Sequence, residues 1–261
     1  MRSRYPYRPA GTDISYSFGP GPWTPIIKAL IITNVVVFLA LWIMSPGFNV
    51  DVLLQRDAYR VALSPSAVFH AQIWRLVTYL FLHAGPFHLI FNMLALWMFG
   101  VELERIWGSR YFLKYYFVCG VGAGVTMLLL SLIPVGPFAY LASSITVGAS
   151  GAIYGILLAY AMYFPNRPIL LFMFFPVPAR YAVMIMGGIA LLLSFEGPGG
   201  TAHTAHLGGL VAGYLFLKGG RLHLMSEVQY RIAKWRVNRI KRRFDVYEGG
   251  RRADDVDRRV H

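Results

Sequence analysis

The chain has 261 residues, of which 56% are hydrophobic and 14% charged. A soluble domain of this size carries about 25% charged residues, so an ordinary soluble fold is excluded, and the long apolar blocks indicate a multi-pass membrane protein. The formal charge of +13 does not indicate a nucleic-acid partner, because twelve of the 25 Lys and Arg residues lie after residue 218, beyond the last apolar block, as cytosolic positive charge does in membrane proteins. The one cysteine, Cys119, excludes internal disulfides and a Cys-based zinc cage, and its apolar surroundings suit a small buried side chain.

Residues 1–25, rich in Pro, Gly and Tyr, read as a flexible cytosolic segment. The first apolar block is long enough to remain as an anchor, so no cleaved signal peptide is expected. The first span is expected over Ile26 to Met44, with Lys28 at its inner end and Asn34 turned toward other helices. Residues 45–82 form a long connection carrying Trp74 and Arg75, with enough apolar content to dip into the interface.

The second span is expected over Pro86 to Glu102 and the third over Tyr111 to Ile133, where Gly120, Gly122 and Gly124 provide helix contact. Residues 134–147 are a charge-free loop, and the fourth span covers Ala149 to Phe164. Residues 169–176 (ILLFMFFP) read as an interfacial turn or the start of the fifth span, whose main part covers Arg180 to Ser194. A Gly- and Pro-rich loop leads to the sixth span, His203 to Leu217. In the tail, Met225, Val228, Ile232, Trp235, Ile240 and Phe244 recur at helical spacing among basic residues. Either a basic amphipathic helix on anionic lipid or a solvated charged tail would show this pattern. The expected fold is therefore all-α: six spans in 26–218, both termini cytosolic, and a basic cytosolic tail over 219–261.

Three helices distant in sequence place polar groups at the same level. His88 and Asn92 lie near the start of the second span, Ser150 and Tyr154 near the start of the fourth, and His203 and His206 near the start of the sixth. Polar groups at membrane depth are costly and indicate function. Counting to the first inner charge on each helix (Glu102, Arg167, Lys218) gives roughly 21, 25 and 18 Å. Against a hydrocarbon core about 30 Å thick, all three lie below the outer boundary, as in a sunken, water-holding site.

Ser150 sits in Gly148-Ala149-Ser150-Gly151, where a polar loop turns into an apolar helix. The glycines leave its hydroxyl uncrowded, and the N–H groups of a helix start suit an oxyanion. A serine hydroxyl needs a neighbouring base. His206, in Ala205-His206-Leu207-Gly208-Gly209, is the candidate, and no acidic residue is placed to complete a triad. Tyr154, one helical turn from Ser150, is expected to pack against the imidazole, and His88 and Asn92 are candidate oxyanion donors beside the Ser150 backbone N–H. Packing alone would also account for Gly151-x-x-x-Gly155, a small-residue helix interface. His83, His88, His203 and His206 could instead bind a metal, although no acidic ligand accompanies them.

These residues resemble the rhomboid family of intramembrane serine proteases. The resemblance covers about 26–218 and rests on Trp74-Arg75, His83, His88-x-x-x-Asn92, Gly148-Ala149-Ser150-Gly151 with Tyr154, and Ala205-His206-x-x-Gly209. One position departs from the family pattern: Thr201 stands four residues before Ala205, where glycine is frequent. The resemblance implies that Ser150 is the nucleophile and His206 the base, that His88 and Asn92 line the oxyanion hole, and that Trp74-Arg75 steadies the first loop. It further implies no cofactor or metal, a transmembrane protein as substrate, and a bacterial-type inner membrane with the site toward the outer face. The fifth span and loop 195–201 are candidate gate and lid. The competing classes are a catalytically silent membrane scaffold and a metal-dependent membrane hydrolase.

Overall fold

The computed structural model describes residues 20–44, 60–133, 135–171, 174–196 and 201–219. The tail, most of the first 25 residues, and the middle of loop 195–201 lie outside the described residues. The chain divides into two compact units, Met1–Tyr214 and Leu215–His261. Only 215–219 of the second, the end of the last helix, are described. Ser150, His206 and the residues around them all belong to the first.

In chain order the elements are α1 (Pro25–Met44), two short helices α2 (Pro65–Phe69) and α3 (Arg75–Thr78), α4 (Pro86–Trp107), α5 (Ser109–Ser131), α6 (Ser150–Tyr163), strands β1 (Pro168–Leu171) and β2 (Phe175–Pro178), α7 (Ala179–Leu193) and α8 (Thr201–Gly219). Among the described residues three helices, α1, α4 and α5, are long and apolar enough to cross a membrane, and α6 and α7 are shorter apolar helices. The structure is mostly helical, and among the described residues the two strands that depart from the all-α expectation form the antiparallel pair β1–β2, which pairs Pro168 with Pro178 and Leu171 with Phe175. Residues 169–176 are expected from sequence as an interfacial turn or the start of the fifth span, and their described residues lie in the two strands of this hairpin and its turn at Phe174, not in a helix.

The second span runs past its expected end at Glu102 because a carboxylate one helical turn from the end has a structural use. Glu104, 3% exposed, accepts from the backbone N–H groups of Ile26 and Ile27 at 3.0 Å each, and from the hydroxyls of Thr24 and Ser109. It thereby caps the start of α1, where unpaired donors and the helix dipole both favour an anion. Beside it, Gly100 admits Ile27, whose Cδ1 lies 2.4 Å from where a Cβ would stand.

The region before α4 is built onto α5. Leu63 and Thr146 exchange backbone hydrogen bonds of 3.0 and 2.9 Å, tying the first loop to the segment just before Ser150. Arg75, 2% exposed, donates to the Ala62 carbonyl at 2.8 Å and to Gln72 at 2.7 Å. Trp74 Nε1 donates to the Arg60 carbonyl at 3.2 Å. The α5 glycines do not share one partner: Gly120 admits Leu80, Gly124 admits Leu76, and Gly122 admits Ala212 of α8.

The tightest contact joins α6 to α8. A Cβ on Gly209 would stand 1.9 Å from the Gly151 carbonyl oxygen, and one on Gly213 would stand 3.2 Å from the Gly155 Cα. Two small-xxx-small faces thus meet backbone to backbone, as tightly packed membrane helices do.

These contacts have measurable effects on stability. Glu104→Ala should lower the thermal midpoint of the detergent-solubilised protein, with a loss of about 1.5–3 kcal/mol for a buried charged acceptor. Gly209→Ala should cost about 1–3 kcal/mol from overpacking. Gly188→Ala, where an added Cβ meets nothing within 4 Å, should leave the midpoint unchanged. Thermal unfolding of the three variants checks both.

Candidate active site

Ser150 is the first residue of α6, with Ala149 as its N-cap. The chain reaches it through Gly148 at φ +120°, a conformation that favours glycine. The Gly148 N–H donates to the Tyr79 carbonyl at 2.9 Å, and the Tyr79 hydroxyl donates to the Gly120 carbonyl at 2.7 Å. The serine is therefore presented by a loop fixed to both the first loop and α5.

His206 approaches from α8, carried by the Gly151–Gly209 contact. Its Nε2 lies 2.8 Å from Ser150 Oγ. The Tyr154 ring stacks on the imidazole with centroids 4.2 Å apart and planes 7° from parallel. His203 meets the same imidazole edge-on at 5.6 Å. His206 Nδ1 has no hydrogen-bond partner among the described residues, so ring contacts, not a carboxylate, set the imidazole's plane.

His88 closes the third side. A Cβ at Gly148 would stand 2.8 Å from both Cε1 and Nε2 of its ring, so glycine is required here for space as well as for φ. The Ala84 N–H donates to His88 Nδ1 at 3.3 Å. The neutral ring then carries its proton on Nε2, the nitrogen on the Gly148 side. Asn92, 6% exposed, spends one amide N–H on the His88 carbonyl, at 2.7 Å. That leaves its second N–H for another acceptor.

His83 lies outside the spanning helices, with its ring edge-on to His88 at 5.1 Å. Burial, with His88 adding to it, pushes its imidazole down to about 3, so it is neutral at physiological pH.

The sequence-selected residues thus fall into three sets. Ser150, His206, Tyr154, His203, Gly148 and His88 surround one another directly. Trp74 and Arg75 bond instead within the first loop, while Gly151 and Gly209 form the helix contact. Sequence reasoning missed Tyr79, which ties the serine loop to α5 through its carbonyl and hydroxyl. Its only sequence signal was an aromatic residue in an apolar run.

The family model of the Rhomboid domain matches residues 70–220. The chain is 31% identical over 205 residues to Rhomboid protein 1, mitochondrial, of Saccharomyces cerevisiae, covering 73% of this chain and 52% of that protein. It is 33% identical over 127 residues to Rhomboid protease GluP of Bacillus subtilis, covering 49% and 22% respectively. To Putative rhomboid protease YdcA of the same organism it is 30% identical over 193 residues, covering 73% and 86%. The chain spans about half the length of the yeast relative and about a fifth of GluP. With the matched region taking in the described helices from α4 to α8, the chain belongs to the rhomboid family of membrane proteins, which includes proteases.

Proposed function

We propose that this protein is an intramembrane serine endopeptidase that hydrolyses peptide bonds in or near transmembrane segments of other membrane proteins. The observation that carries the reading is the 2.8 Å contact between Ser150 Oγ and His206 Nε2. Ser150 is the nucleophile and His206 the base. As Oγ attacks the scissile carbonyl carbon, Nε2 takes the hydroxyl proton and then returns it to the leaving amine. A water then attacks the acyl-enzyme with the same imidazole accepting its proton, which releases the carboxylate and restores Oγ–H. The His88 Nε2–H, the second Asn92 N–H and the Ser150 backbone N–H are the donors for the developing oxyanion. Tyr154 holds the imidazole in plane, the role a triad carboxylate would otherwise fill.

The helices α1 and α4–α8, three of them long and α6 and α7 shorter, supply the six spans of this reading, over 26–218, with 1–25 and the basic tail 219–261 on the cytosolic side. The site faces the opposite side, and in a bacterial cell that is the outer face of the inner membrane. Helix length supports a sunken site. α6 has 14 residues, a rise of roughly 21 Å, against a hydrocarbon core of about 30 Å. If its inner end sits at the boundary, its first residue is buried by several ångströms. A helical substrate must unwind there to offer its carbonyl, so small or helix-breaking residues near the cut are the expected preference.

Ser150→Ala and His206→Ala should each abolish cleavage of a single-span reporter in liposomes and labelling by a serine-directed fluorophosphonate, while a chelator changes neither. Unchanged cleavage by Ser150→Ala removes the serine reading. Loss of cleavage on chelation favours a metal-dependent hydrolase, and an unlabelled, inert wild type favours a scaffold. Asn92→Ala should lose about 10–10³-fold, since other donors remain. Tyr154→Ala should reduce kcat, and Tyr154→Phe, which keeps the stack, should retain most of it.

A further inference from the structure

To serve as a base, His206 needs Nε2 turned toward Ser150 with its lone pair free. Ser150 Oγ is 2.8 Å from Nε2, so when the hydroxyl donates to Nε2 the neutral ring carries its proton on Nδ1. Tyr154 stacks on the ring with centroids 4.2 Å apart and planes 7° from parallel. That contact fixes the plane of the imidazole but not which edge faces the serine. A half-turn about the Cβ–Cγ bond leaves the plane and the stack unchanged, yet exchanges Nε2 with Cε1 and Nδ1 with Cδ2. In the turned ring a carbon faces the hydroxyl and there is no base. In a serine-protease triad a carboxylate on Nδ1 makes this choice, by holding the tautomer and orientation of the ring.

Among the described residues His206 Nδ1 is buried without a hydrogen-bond partner, and so is His203 Nδ1. Buried polar atoms are rarely left unpaired. The two rings that carry these atoms touch: they meet edge-on, with centroids 5.6 Å apart and planes at 81°. His203 and His206 stand three residues apart in α8, on one face of the helix. An imidazole N–H points outward in the plane of its ring, so Tyr154, which lies over the face of His206, is not placed to receive it. A neutral His203 with its proton on Nε2 offers an in-plane lone pair at Nδ1. A buried donor in need of an acceptor and a buried nitrogen able to accept thus belong to rings already in contact.

We propose that His203 is a positioning residue for the base: its Nδ1 accepts a hydrogen bond from His206 Nδ1–H, directly or through one water, and so selects the edge and tautomer that turn Nε2 to Ser150. The inference rests on the protease reading of Ser150 and His206 and adds a third, neutral member to that pair. No proton passes between the two imidazoles. His206 Nε2 takes the Ser150 proton, Nδ1–H stays on His206, and His203 keeps its own proton on Nε2. The Nδ1–H bond strengthens as the His206 ring becomes a cation, because a charged donor makes the stronger hydrogen bond. A neutral acceptor does this without the cost of burying a carboxylate.

Two measurements on the full chain in liposomes test it. The first compares cleavage of a single-span reporter by wild type, His203→Phe and His203→Asn. Phenylalanine keeps a ring against His206 but has no nitrogen, whereas asparagine has no ring but offers an oxygen that accepts. His203→Phe should lower kcat about 10–100-fold with KM little changed, the worth of a hydrogen bond to a charged group, and His203→Asn should recover most of the loss. Full kcat in His203→Phe, or equal losses in both variants at an unchanged thermal midpoint, overturns the proposal. The second measurement does not depend on activity. In protein carrying histidine labelled with the heavy nitrogen isotope, the His206 resonances are assigned by difference from His206→Ala. Wild type should show Nδ1 protonated and Nε2 bare, and His203→Phe a mixture of the two tautomers. The same tautomer in both proteins overturns the bond, and so does a wild type with Nδ1 bare or mixed, whether or not His203→Phe folds. A wild type that neither cleaves the reporter nor takes the fluorophosphonate removes the protease reading instead, and the nitrogen spectrum still decides the contact between the two histidines.

Discussion

The closest approach of α6 and α8 is the contact on which the site geometry depends. Their backbones meet because Gly151 and Gly155 face Gly209 and Gly213, leaving no side chain between the Gly151 carbonyl and the Gly209 Cα. Ser150 precedes one end of this contact and His206 lies one turn before Gly209, so interhelical distance and Oγ–Nε2 distance are set together. Any side chain larger than hydrogen at 209 would act on the pair without touching it. In lipid, where water does not drive helices together, such dispersion contact between small residues is a principal attraction.

The serine's other supports come from outside the helix pair. Gly148 bonds to the Tyr79 carbonyl, Tyr79 to Gly120, and Thr146 to Leu63. The loop before α6 is thereby tied to the first loop at Thr146 and Gly148, both within four residues of Ser150, and through Tyr79 to α5. The first loop is braced in turn by the buried Arg75, which donates to the Ala62 carbonyl and to the Gln72 side-chain oxygen of the same loop. A serine hydroxyl placed in this way needs little reorganisation, which is the condition for preorganised electrostatics to act.

The imidazole is oriented without a carboxylate. Tyr154 stacks on His206 and His203 meets its edge, so aromatic contacts replace a charge that would be costly to bury in an apolar bundle. Of the described acidic side chains, Glu102 and Glu104 are used near the far end of α4 instead. Glu104 caps α1, and Glu102 holds Arg167 at the base of the hairpin. Charge is thus spent near the boundaries, and neutral hydrogen bonds and ring contacts serve the interior.

Apolar runs with few charges determine helices in a bilayer whatever their neighbours, because the backbone has no other way to satisfy its hydrogen bonds there. The order of the helices could therefore be read from residue order alone, and the levels expected for Ser150, His206 and His88 rest on the same count. So could the role of the glycines as contact surfaces, though not their partners: Gly120, Gly122 and Gly124 turn out to face three different side chains. The tautomer of His88 depends on the Ala84 N–H, and the bracing of the serine loop depends on Tyr79. Neither leaves a pattern in sequence, since both arise between segments far apart or from a single local bond. The stretch ILLFMFFP shows the limit most clearly. Its composition suits a helix start and a turn equally, and only the pairing of Pro168–Leu171 with Phe175–Pro178 decides between them.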